Sequence, residues 1–487
     1  MNVLKKIMID LETSGLKIFF DQVISMFGAK EDYSEKDEST FIDVRCAMEL
    51  SRMPEAEALI VNGVPLPSLV QENSLYNGIH EIVRFIDENT PSIWVAHNAN
   101  FDSSILSNTI YQNLASSNLY PLKTNGNILL DSLMLVRAIY AFDRSCGLRI
   151  PEDSDGNPIF KLENLCESNS IEIEAHTAKG DTLALRELLD VMENFSPQVY
   201  RYALNCATKK HALQKLKDQP YIFAAIGAGK NFSIRALAPI AINQEESDAV
   251  VVDLKSDVLK AKSLSPLEMS GYLGNRVHKR YPIFRLPLNK GIVLMAADEV
   301  DFFFKLSNGF DEQDLFKHAS ELRRDESLSD TAREALKWRS NSFLAEDPTP
   351  EERIYNHFPT SAEKAFINAF NLAEPEDKWS LIESYKDKLN DDRFIRLARR
   401  VSLQNWREYC PPELTETYFK WCIERLFSES TSQEEVPKWT TIYSCLSNLP
   451  NLRRKYPDKL DRIDELEDFY ETIAANVGID ISNSFDN

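Results

Sequence analysis

Glycine is scarce in this sequence, 15 residues against 22 prolines in a chain of 487, which excludes collagen-like, Gly-rich and linker-dominated chains. No apolar run reaches the roughly 18–20 residues that a membrane-crossing helix needs, so no membrane contact is expected. Lys5 and Lys6 precede an apolar stretch, but Asp10 and Glu12 interrupt it at once, unlike a secretory signal peptide. The seven cysteines are scattered singly, with no CxxC or CxxH spacing. That argues against a zinc site and a disulfide framework and for a reducing compartment, so a cytoplasmic location is expected. What remains, 43% hydrophobic and 27% charged residues, is an ordinary globular composition with length for two to four domains.

Positive charge is also short overall, with a net charge of -21, yet it is unevenly spread. Residues 1–200 carry 15 basic and 30 acidic side chains, residues 201–300 carry 15 and 9, and residues 301–487 carry 25 and 37. A basic block thus lies between two acidic ones. It is either a polyanion-binding segment or an ordinary fluctuation of a solvated surface.

The first block reads as α/β. Strands are expected at 3–12, 22–29, 41–46 and 92–97, and helices at 79–88, 102–111, 162–168 and 182–195, with Asp131 capping another. After residue 200, Lys209, Lys210, Lys215 and Lys217 fall on a connecting helix. Short strand candidates follow at 221–225, 233–242, 249–254, 281–286 and 292–296. From about 311 the pattern is helical, with Trp338, Trp379, Trp406 and Trp421 as expected core anchors. Pro348–Glu352 reads as a helix-starting junction, and the tail from Gly478 as frayed. The expected division is 1–200, 201–348 and 349–487.

Asp10 and Glu12 stand two apart on a strand, so alternation puts both carboxylates on one face. Burying both is costly unless a cation lies between them. The segment His97-Asn98-Ala99-Asn100-Phe101-Asp102 places Asp102 where a strand meets a helix start. His176-Thr177-Ala178-Lys179-Gly180-Asp181 leads into another helix. On one helix those two ends would stand about 140° apart. His176 is therefore expected on the approach loop and Asp181 in the first turn, both aimed at one site. Singly, each acid also reads as a cap or a solvated strand end.

Taken in order, these motifs resemble the DEDDh 3′→5′ exonuclease superfamily. Asp10, Glu12, Asp102 and Asp181 match its four acids, and His176 its histidine. Residues 157–165, Lys209–Lys217, Ala238-Pro239-Ile240 with residues 250–254, and residues 353–358 are similar to the bacterial exonuclease I family. Two stretches depart from it: Leu16–Phe20 is hydrophobic, and the loop Pro121–Asn127 has no landmark.

The resemblance implies an α/β ribonuclease-H-like exonuclease domain, followed by a small SH3-like β domain and a helical C-terminal domain. It implies two Mg²⁺ ions, with Mn²⁺ able to substitute, held by the four acids, and His176 taking a proton from the attacking water. It implies single-stranded DNA as substrate, processive release of mononucleotides, and docking of the acidic tail of single-stranded DNA-binding protein on a monomer. Lys209, Lys210, Lys215 and Lys217 are the expected phosphate contacts. Tyr221, Phe223, Phe232, Tyr281 and Phe284 are candidate stacking faces or core. The alternatives are an RNA-trimming enzyme of the same superfamily, which a lone catalytic domain would suit better, and a non-catalytic nucleic-acid-binding subunit.

Overall fold

The computed structural model describes residues 4–174, 176–274, 282–342, 348–429 and 436–479. Its first sheet holds β1 (Lys5–Thr13), β2 (Val23–Lys30), β3 (Phe41–Arg45), β4 (Ser92–Ala96) and β5 (Ile128–Asp131), in the order β3-β2-β1-β4-β5. β2 runs antiparallel to β1 and β3, whereas β4 runs parallel to β1 and β5. Parallel neighbours need crossovers. Helix α1 (Leu75–Glu88) precedes β4, and α2 (Ala99–Gln112) links β4 to β5. Then come α3 (Ser132–Phe142), α4 (Ala178–Phe195) and α5 (Pro197–Cys206).

Alternation divides the sheet between two cores. Met8, Ile93, Val95 and Leu130 pack with Leu135, Leu188 and Val199 of α3, α4 and α5. Ile7, Ile9, Trp94 and Leu129 pack with Ile82 and Ile110 of α1 and α2. Burial on both faces explains the unbroken apolar run Ile7-Met8-Ile9. Asp10 and Glu12 continue the parity of Met8, so both carboxylates leave β1 on the side that α4 covers.

The second sheet is antiparallel: β6 (Ile222–Ile226), β7 (Ser233–Ile242), β8 (Asp248–Asp253), β9 (Ile283–Pro287) and β10 (Leu294–Met295), in the order β10-β6-β7-β8-β9. Tyr281, where the fourth of these strands is expected to begin, lies outside the described residues. Helix α6 (Lys209–Asp218) covers one face through Ala212, Leu213 and Leu216. The other face joins the first core, together with α7 (Glu312–Arg324) and α8 (Glu326–Ser342).

The chain ends in helices that include α9 (Arg393–Asn405), α10 (Pro412–Leu426), α11 (Ile442–Lys455) and α12 (Leu460–Asn476). Phe366, Phe370 and Phe394 enter the second core beside Ile9 and Trp94. Neither core stops at residue 200. Thr349 and Glu352 form a capping box at the expected junction, but the turn they open, Pro350–Tyr355, is 3-10 rather than α. No helix among the described residues is long and apolar enough to cross a membrane.

Two expectations need correction. Trp338 is 52% exposed and Trp421 36% exposed, so neither anchors a core. Helix α8 packs through Ala332, Ala335 and Leu336 instead, while Trp379 and Trp406 do border the second core. Helix α4 starts at Ala178, four residues earlier than read, because Thr177 caps it by accepting from Gly180 N–H. Of the expected frayed tail, residues 480–487 lie outside the described residues, and Gly478 and Ile479 close the last helix through bonds to Ala475 and Ala474 carbonyls. The hydrophobic stretch Leu16–Phe20 has a structural use: Phe20 meets Trp439 edge-on at 6.1 Å and lies under Arg425, while Lys17 pairs with Glu55.

Candidate active site

Asp10 and Glu12 lie toward the end of β1, Asp102 in the first turn of α2 and Asp181 in the first turn of α4. The structure brings all four together. Carboxylate oxygens of Asp10, Glu12 and Asp181 lie within 4.8 Å of one another. Asp102, 5% exposed, is close enough to Asp10 and Glu12 for their charges to interact.

Crowding and burial both disfavour ionisation. Burial first, then Asp102, Glu12 and Asp181, pushes the Asp10 carboxyl well above the usual carboxylate range. Glu12 is pushed up to about 7 by burial and by Asp181. Burial carries Asp181 to about 6, and burial followed by Asp131 and Glu12 carries Asp102 to about 8.

His176 stands on the loop before α4 with an exposed side chain and a left-handed backbone, φ 66°. Non-glycine residues rarely adopt that conformation without local support. Here the support is Asp181, whose carboxylate accepts from the His176 backbone N–H. The loop is pinned through its backbone while the residue stays exposed. Glu12 and His176 line one cavity of about 180 Å³, with Asp43, Arg45 and Lys179.

The other residues of the His97–Asp102 motif are scaffolding. His97 accepts at Nδ1 from Ser132 Oγ at 2.9 Å and donates from Nε2 to the Phe160 carbonyl at 2.8 Å, and burial lowers it to about 4. Asp131 caps α3 through Leu133 N–H at 3.0 Å and also accepts from Asn98 N–H and the Asn100 amide, holding the loop that presents Asp102.

The four expected phosphate contacts do not present one free face. Lys209 donates to the Glu245 carbonyl, Lys217 pairs with Glu246, and Lys215 is half-buried against Glu299. Lys210 is exposed and has no ion pair among the described residues. Tyr221 and Phe223 are buried in the first core and offer no stacking face. Phe232 packs on Tyr140 and Phe160, and Phe284 lies beside Arg235. Two lysines were not singled out from sequence. The loop between β9 and β10 docks on Asp131 and Asn100, with the Lys290 carbonyl accepting from Asn100 Nδ2 at 3.0 Å. Burial and the Lys290 charge lower Lys123 to about 8, and burial and the Arg285 charge lower Lys290. The two lysines lie 167 positions apart, so only the fold pairs them.

Four acids drawn from one strand and two helix starts thus meet over a mixed sheet, with a histidine on the last approach loop. No family model matches the chain. Exodeoxyribonuclease I of Haemophilus influenzae is 28% identical over 462 residues, covering 88% of this chain and 94% of that protein. The structure of E. coli exonuclease I in complex with a dT13 oligonucleotide superposes with a TM-score of 0.81 at 19% identity, covering 97% of this chain and all of that one. An SSB/exonuclease I structure in complex with the inhibitor CFAM gives 0.76 at 19% identity, covering 96% and 99%. The chain is thus similar to exonuclease I along nearly its whole length, as its motifs imply.

Proposed function

We propose that this protein is a 3′→5′ exodeoxyribonuclease that hydrolyses single-stranded DNA to 5′-mononucleotides, processively, in DNA repair and recombination. The observation that carries this reading is the convergence of Asp10, Glu12, Asp102 and Asp181, beside His176, on a chain similar to exodeoxyribonuclease I from end to end.

The acids suit a hard divalent cation. All donors are carboxylate oxygens, their mutual repulsion is unrelieved by any lysine or arginine among them, and each is pushed toward the neutral form. Asp10, Glu12 and Asp181 would hold one Mg²⁺, and Asp10 with Asp102 a second. Such ions supply positive charge to the attacking and leaving oxygens of a phosphodiester. His176 takes the proton from the attacking water on an imidazole nitrogen and passes it to solvent, since its ring is exposed. Lys123 and Lys290, with Lys210, attract the phosphate backbone toward the acids.

The second sheet is read as the SH3-like unit of residues 201–348, and residues 349–487 as a helical domain. The SSB/exonuclease I structure supports single-stranded DNA-binding protein as a partner, and docking through its acidic tail is part of the same reading. Seven free cysteines support a reducing, cytoplasmic setting, and a site complete within one chain supports a monomer.

The test is the purified protein with Mg²⁺ on single-stranded DNA labelled at the 3′ or 5′ end, on duplex DNA and on RNA. Immediate loss of 3′ label as mononucleotide from single-stranded DNA is expected. Equal or faster digestion of RNA would overturn the substrate assignment, and no hydrolysis would overturn the enzyme.

A further inference from the structure

A second cavity, of about 540 Å³, opens in the C-terminal helices, and none of the five residues of the acidic site lines it. Its volume suits one small ligand. Three tryptophans line it, and so do four arginines, Arg396, Arg399, Arg400 and Arg425, against a single glutamate, Glu351.

The charge is built in. Arg400 and Arg425 share one oxygen of Glu351, at 2.7 and 2.9 Å. Arg425 is 6% exposed, and its Nε–H, like those of Arg399 and Arg400, is buried without an acceptor among the described residues. Behind them Arg52 binds Glu49, so the buried Arg52 and Arg425 and the part-buried Arg400 face two buried glutamates. Unsatisfied buried donors and an uncancelled cation are both costly, and an anion in the cavity would offset both. Arg396 is exposed and has no ion pair among the described residues, whereas Arg399 pairs with Glu383 through Nη2 at 2.6 Å.

The cavity also offers a ring face. Trp421 stacks on Tyr418 at 5.8 Å and 30° and is 36% exposed, so part of the indole reaches the cavity mouth. The Arg425 guanidinium lies 5.2 Å from that ring and 4.7 Å from Trp439. A planar, electron-rich indole beside a fork of cations matches a base joined to a phosphate.

We infer that this cavity is a second ligand site, which takes a free nucleoside monophosphate, its base on Trp421 and its phosphate toward Arg396 and Arg399. The choice of a nucleotide over another planar anion rests on the reading of the chain as a nuclease, whereas the test requires no turnover.

The experiment is equilibrium dialysis of the full chain against dAMP in EDTA, with deoxyadenosine, inorganic phosphate and an Asp-rich peptide ending in phenylalanine as separate probes. One saturable site for dAMP is expected, tighter than for deoxyadenosine or phosphate alone. Trp421→Ala should weaken it about tenfold, Arg396→Gln about fivefold, and Trp421→Phe less than Trp421→Ala. Both positions are exposed, so melting temperature without ligand and nuclease rate should be unchanged. Binding of dAMP that ignores both variants would overturn the inference, and so would tight peptide binding without dAMP binding. Loss of nuclease activity with intact dAMP binding would count against the nuclease reading alone.

Discussion

Among single residues, the acids define the sharpest expectations. Asp10 interacts with each of the other three carboxylates, so Asp10→Asn should lower turnover by about 10²–10³-fold, the scale of losing one group that stabilises charge in the transition state. The same change should raise the melting temperature in EDTA, because it removes repulsion. The pH dependence follows by linkage. Glu12 and Asp102 are raised to about 7 and about 8, above their unfolded values near 4. The folded protein therefore holds protons that the unfolded chain releases, and stability is lost as pH rises from about 4 through about 8. Thermal melts of metal-free protein should fall over that window, Asp102→Asn should flatten the fall, and Mg²⁺ should oppose it at the alkaline end. His176→Ala should reduce kcat by about 10²–10⁴-fold with little change in KM. An unchanged rate would make the ring a bystander.

At the level of elements, the start of α4 carries both His176 and Asp181, so its geometry should report directly in activity. A Cβ at Gly180 would meet the Glu174 carbonyl oxygen at 2.0 Å and Thr177 Oγ1 at 2.8 Å. Gly180→Ala must therefore shift the loop, and turnover should drop although no carboxylate is removed. Thr177→Ala should cost about 1 kcal/mol of stability through the lost cap, measured by urea denaturation. These residues also show what the sequence could reveal. The meeting of Asp10, Glu12, Asp102 and Asp181, and the loop position of His176, were legible because each sits at or near an element boundary that local pattern marks. Parity placed Asp10 with Glu12, and the helix period forced His176 onto a loop. Trp338 and Trp421 were misread because size and helical spacing do not say which face finds a partner. The intramolecular partners of Lys209, Lys215 and Lys217 were equally hidden, since Glu245, Glu246 and Glu299 are brought to them only by folding.

On the scale of the whole molecule, charge and packing cross the expected boundaries. If Lys123 and Lys290 guide the strand, binding of single-stranded DNA should weaken with salt at a log–log slope of about -0.7 per phosphate neutralised. Replacing both with Gln should flatten that slope more than Lys209→Gln with Lys210→Gln, and should slow long substrates more than very short ones. Burial alone would raise the Glu351 carboxyl, but Arg400 and Arg425 hold it at about 2. Glu351→Ala would strand those arginines and should cost about 3–5 kcal/mol, with the N-terminal sheet and C-terminal helices melting less cooperatively. The shared cores also bear on synthesis. On the ribosome, residues 1–200 emerge with Tyr76 and Tyr111 awaiting Trp406 and Phe394, which come about 200 residues later. At about 5–20 residues per second that gap lasts roughly 10–40 s. For that interval the nascent catalytic sheet has an unsealed apolar flank, so translation speed and chaperone cover over the middle third of the message become determinants of yield.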